Sequence, residues 1–194
     1  MHPIDEFLRD LDAAWTPGDR RIPLPLFGSA ALFLQTDYAR GTKDGDILET
    51  QEVAAVRERL LALAGRNSAL HRRHRIYLEV VGSGIPFLPP GAEWSPRDLG
   101  LSNFDLEVLS VTDVVVTKLK RFHGDDRADV SAMVEGGHVE HARLVRRVRD
   151  AVDWFRFDAR ADLLPRFVAN FHTVERDYFG VAETRVELPD DLER

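Results

Sequence analysis

The sequence predicts a mixed α/β (α+β) fold, with a small β-sheet flanked by helices in the first half and an all-helical second half. Three observations lead there. Short candidate strands at Ile22–Phe27, Asp44–Leu48, residues 75–81 and Phe104–Leu109 alternate with segments of helical spacing. From Val111 to Tyr178 nearly everything is helix-compatible, with breaks at Gly124 and Gly136-Gly137. The composition, 44% hydrophobic and 30% charged over 194 residues, suits a chain that buries a sizeable core, and no low-complexity segment interrupts it. The expected organisation is an α/β domain over residues 1–110, a helical domain over 111–180 and a polar tail over 181–194.

The elements follow in order. Ile4, Phe7, Leu8, Leu11 and Trp15 recur at helical spacing, and Thr16-Pro17-Gly18 ends that helix. Ile22–Phe27 is short, apolar and interrupted by proline, which predicts a strand at a sheet edge. Gly28-Ser29 turns the chain into a small-residue-rich helix over 30–38, residues 40–43 form a loop, and Asp44–Leu48 is a second strand. Thr50 caps a long helix that ends at Gly65 and carries Val53, Val56, Leu60, Leu61 and Leu63. Residues 75–81 are a third strand. Residues 82–96, with four prolines and three glycines, are irregular, and Phe104–Leu109 is a fourth strand.

Composition excludes several chemistries. Without cysteine there is no disulfide, thiolate metal site or cysteine nucleophile, so a metal would be held by oxygen or imidazole. The net charge of −7 disfavours broad attraction to nucleic acid. Two arginine clusters, at Arg72, Arg73 and Arg75 and at Arg143, Arg146, Arg147 and Arg149, read as solvated helix faces or, alternatively, as local polynucleotide contacts. The acidic N-terminus is unlike a signal peptide, and the longest apolar run, residues 24–34, is too short to span a bilayer. A cytoplasmic protein without a membrane partner is expected.

Asp44 and Asp46 stand two apart, so on a strand both carboxylates leave one face, about 6.5–7 Å apart along the chain. The same spacing recurs at Asp10/Asp12 and Asp105/Glu107 and means little alone. Glu79, inside a run that otherwise asks for burial, needs an edge location, an arginine partner or convergence with Asp44 and Asp46. Gly28-Ser29, between a strand and a helix, stands where free backbone N–H groups bind phosphate, although such a dipeptide also makes a plain turn. No Walker or Gly-x-Gly-x-x-Gly sequence is present.

The order strand, Gly-Ser, helix, Asp-x-Asp on a strand, long helix, acid on a strand resembles the DNA polymerase β-like nucleotidyltransferase superfamily. Arg40-Gly41-Thr42-Lys43-Asp44-Gly45-Asp46-Ile47 is similar to the Arg-x-Thr-x-Asp-x-Asp form of AbiEii-type toxin nucleotidyltransferases and related bacterial families. Residues 116–121 and 126–130 are similar to those families' Lys-Leu helix and Arg-Asp-x-x-Asp segment. The resemblance implies a nucleotidyltransferase core. Asp44, Asp46 and Glu79 would be catalytic and would bind two Mg²⁺ (or Mn²⁺) ions. Gly28, Ser29, Lys118, Arg121, Arg40 and Thr42 would bind the NTP. It also implies an unidentified acceptor, tRNA, another RNA, a protein or a small molecule, and a role as the toxin of a toxin-antitoxin pair.

Some assignments have alternatives. Lys118 also fits a snorkelling surface lysine, and Arg40 and Thr42 also fit residues that fix the loop before the acids. Asp125, Asp126 and Asp129 fit either partners of Lys118 and Arg121 or N-terminal helix charges. Gly45, where the family pattern has a hydrophobic residue, predicts a loosened strand and favours a catalytically degenerate fold that binds a nucleotide or partner. A metal-dependent phosphohydrolase is the other alternative, suggested by His71/His74, His138/His141 and His123, although these histidines are expected to be exposed.

Overall fold

The computed structural model describes residues 2–16, 18, 20–38 and 40–189. Pro17 of the expected first turn and residues 190–194 of the expected tail lie outside the described residues. The chain divides into two compact units: residues 1–86 with 94–110, and residues 87–93 with 111–194.

The first unit is an α/β unit. Its sheet has the order β3-β2-β1-β5-β4, made by β1 (Ile22–Phe27), β2 (Asp44–Leu48), β3 (Tyr77–Val81), β4 (Trp94–Pro96) and β5 (Phe104–Leu109). β1 runs antiparallel to β2 and parallel to β5, while β2 and β3 are parallel. Helices α1 (Pro3–Ala14), α2 (Gly28–Gln35), α3 (Gln51–Ala64) and α4 (Ala69–His74) complete it. α1 buries Ile4, Phe7, Leu8 and Leu11, the residues its periodicity selects. Thr50 caps α3 by accepting a hydrogen bond from the Val53 N–H, and Gly65 ends the helix.

The expected edge position of Ile22–Phe27 is corrected, because β1 is the central strand. The prolines are tolerated for a specific reason. Ile22 donates to the Asn103 carbonyl, and amide directions alternate along a strand, so Pro23 and Pro25 point their missing donors toward the β2 side. Pairing with β2 is in register only at Leu26 and Phe27, beyond both prolines. Two short elements, α4 and β4, fall in stretches whose composition gave them no signal.

Gly45 does not loosen β2. It is buried on the face opposite the acids, and a Cβ there would lie 2.9 Å from Leu78 Cδ2 and 3.3 Å from Leu26 Cδ1. Neighbouring leucines fill the volume that a hydrophobic residue would take. A Gly45→Val variant is therefore expected to lose about 1–3 kcal/mol through overpacking, read as a lower urea midpoint; an unchanged midpoint would contradict this account.

The second unit is helical, with α5 (Val111–Leu119), α6 (Gly124–Glu135), α7 (His141–Phe155) and α8 (Leu164–Val174), followed by one π-helical turn, Glu175–Phe179. Residues 87–93 belong to it because Phe87 stacks on Phe155 at 4.2 Å and meets Phe167 at 5.3 Å. Arg147 bonds the Pro89 and Pro90 carbonyls, Asp113 and Asp150. The reading of Arg147 as part of a solvated face or polynucleotide contact is thus corrected: it is a buried cross-link. The described part of the expected tail is pinned, with Thr184 bonding buried Glu175 through both its N–H and its hydroxyl.

Candidate functional site

The three acids meet at the sheet. β2 and β3 are in register at Asp46 and Glu79, and at Asp44 and Tyr77. Asp44 and Asp46 leave β2 on one face, and Glu79 joins them from the neighbouring strand. One carboxylate oxygen from each of Asp44, Asp46 and Glu79 lies within 4.8 Å of the others. Among the described residues this is the one group of three or more acids or histidines so disposed. All three explanations for Glu79 hold together: β3 is an edge strand, Arg66 pairs with Glu79 at 3.3 Å, and the carboxylate converges on the aspartates.

Gly28 fits against the same acids. Phe27 is in register with Asp46 across β1 and β2, so the first residue of α2 lies beside that carboxylate. Gly28 has φ 67°, and a Cβ there would stand 2.4 Å from Asp46 Oδ2. Only glycine permits both the backbone and the close approach. Ser29 follows in the first turn of α2, half-buried. A Gly28→Ala variant is expected to lose about 1–3 kcal/mol from the left-handed backbone and to displace Asp46. An alanine variant with wild-type urea midpoint and activity would refute that close fit.

Thr42 fixes the approach to β2: its hydroxyl donates to the Asp44 carbonyl at 2.9 Å and lies 3.2 Å from Asp44 Oδ1. Arg40 lies half-buried in the same loop. Two neighbours that sequence reasoning missed complete the surroundings. Arg66 stacks its guanidinium over the Tyr77 ring at 4.6 Å and donates to the Tyr77 hydroxyl as well as to Glu79. Burial, followed by the negative charges of Asp44 and Glu79, pushes the Tyr77 phenol pKa up, with Arg66 opposing. Arg66 carries no local signal, because its relation to Glu79 depends on the turn between α3 and α4.

Lys118 and Arg121 belong to the second unit. Lys118 is buried, so the snorkelling alternative does not hold. Its ammonium pairs with Asp129 at 2.7 Å and Asp126 at 3.3 Å, tying α5 to α6. Arg121 is exposed, 3.7 Å from Asp126. Asp126 also serves as the N3 carboxylate of a capping box on α6, so both readings of that acid hold at once.

The histidines and the other acid pairs have local partners. His74 is mostly buried against Asp10 at 2.7 Å, and His141 bonds Glu175 at 2.7 Å, which corrects the expectation of exposure for both. His123 and His138 are exposed, as expected. Asp12 accepts from the Ser102 and Asn103 N–H groups, and Asp105 pairs with Arg21.

Asp44, Asp46 and Glu79 present hard oxygen donors within reach of a common ion, a donor set that suits Mg²⁺ or Mn²⁺. The class that the fold and site define is an α/β unit whose sheet gathers three carboxylates beside a glycine-started helix. The chain belongs to the family described as nucleotidyltransferase of unknown function (DUF6036), whose model matches residues 3–178. No curated protein and no solved structure matches the chain. No helix of the described residues is long and apolar enough to cross a membrane.

Proposed function

We propose that the protein is a Mg²⁺- or Mn²⁺-dependent nucleotidyltransferase, of the DNA polymerase β-like type, that moves a nucleoside monophosphate from an NTP to an acceptor hydroxyl. The observation that carries this reading is the convergence of Asp44, Asp46 and Glu79; the family membership supports it. Bound there, the cation would offset charge on the transferring phosphoryl group and lower the pKa of the attacking hydroxyl.

The chain's own residues supply position. β2 and β3 hold the carboxylates in register, Thr42 fixes the strand's start, and Gly28 leaves room beside Asp46. The N–H groups that open α2, with the Ser29 hydroxyl, suit a phosphate chain. Arg40 is the further cationic contact of this reading. The acceptor is a hydroxyl on RNA, such as a tRNA, on a protein or on a small molecule. The similarity to AbiEii-type enzymes supports a toxin role.

The test uses each of the four NTPs, labelled in turn at the α- and γ-phosphate, with Mg²⁺ and total RNA, total protein or a small-molecule extract. Transfer of α-label but not γ-label is expected. No α-label in any pool, or transfer of γ-label alone, would overturn the reading; the second outcome would point to phosphoryl chemistry.

A further inference from the structure

The acid triad has a cation of its own. Arg66 lies in the turn between α3 and α4, where Gly65 ends one helix and Ser68 caps the next. Its backbone setting is fixed: Asn67 has φ 68° and its N–H donates to His71 Nδ1, while the Ser68 N–H donates to the Gly65 carbonyl. Its side chain is not buried. Arg66 is 64% exposed and Glu79 46%, and an exposed pair of this kind contributes little, so it is readily exchanged. The Tyr77 ring and hydroxyl give the guanidinium a second hold beside its pair with Glu79.

Phe27, Asp46 and Glu79 lie in register across β1, β2 and β3. Gly28, next to Phe27, therefore stands on one side of Asp46, and Arg66, on Glu79, stands on the other. A phosphate chain over the triad would have the helix-opening end of α2 on one side and a guanidinium fork on the other. That fork suits phosphate because it offers parallel N–H donors, which an ammonium cannot.

Resting on the nucleotidyltransferase reading, we propose that Arg66 is the site's internal counter-ion. It neutralises Glu79 before a cation arrives, yields Glu79 to the divalent cation, and then holds a phosphate oxygen of the nucleotide while Tyr77 keeps the guanidinium in place. No bond is made or broken in this exchange.

The two halves predict opposite effects of one substitution, which a merely structural ion pair would not produce. Mn²⁺ binding to the full chain is followed by electron paramagnetic resonance, and binding of each α,β-methylene NTP by calorimetry in saturating Mn²⁺. Arg66→Met is expected to bind Mn²⁺ about three- to tenfold more tightly, since a competing positive charge is gone, and the best-bound analogue at least about tenfold more weakly. Arg66→Lys keeps the charge without the fork, so its Mn²⁺ affinity should match wild type and its nucleotide affinity fall between the two. Wild-type behaviour of Arg66→Met in either titration overturns the proposal while leaving the triad's role intact. If the wild type binds no Mn²⁺, or Asp46→Asn binds it equally well, the underlying metal-site reading fails, and this proposal with it.

Discussion

Asp46→Asn is expected to lower nucleotidyl transfer by at least about a thousandfold while leaving the fold intact. A metal ion supplies several kcal/mol of charge stabilisation to phosphoryl chemistry, and each 1.4 kcal/mol is about tenfold in rate. Asp46 is the middle member of the site: it is in register with Glu79 on one side and touches the position of Gly28 on the other. Replacing its carboxylate with an amide keeps the shape and removes the charge. Asp105→Asn is the matched control, because Asp105 also belongs to an i, i+2 acid pair on a strand but is exposed and paired with Arg21 at 2.8 Å. Transfer should be unchanged in that variant. Equal losses in both, or no loss in Asp46→Asn, would show that the triad is not the working site.

The largest stability effect is expected at Lys118. Lys118→Met removes the cation that faces Asp126 and Asp129, whose side chains are 6% and 0% exposed. Removing one partner of a buried ion pair costs about 3–5 kcal/mol. Urea unfolding should show a loss of that size, and a variant within about 1 kcal/mol of wild type would contradict the buried network. Removing the stranded charges too, in Lys118→Met/Asp126→Asn/Asp129→Leu, should restore most of the stability, since an apolar replacement of a buried pair is often neutral.

What could be read from the sequence was local or ordered along the chain. α1 was evident from its apolar spacing and α3 from its cap and stop, because a period and a cap lie within a few residues. Asp44 and Asp46 stand out through their place after Gly28-Ser29, since other acid pairs, Asp10/Asp12 and Asp105/Glu107 among them, share their spacing. What could not be read was set by strand order. The prolines of β1 pointed to an edge, yet β1 is central because β2 meets it only past both prolines. Gly45 reads as a defect from sequence because Leu78 and Leu26, which fill its place, come beside it only when the strands pair. Arg66 carries no such signal, because the turn between α3 and α4 is what brings its guanidinium onto Tyr77 and Glu79 of β3.

The central claim is that three carboxylates from two strands form one cation site. Crystals soaked in Mn²⁺ and measured for anomalous scattering test it most directly. Density among Asp44, Asp46 and Glu79, absent in crystals of Asp46→Asn, is the result this account predicts. Manganese that binds elsewhere, or that persists at the triad without the Asp46 carboxylate, would contradict it.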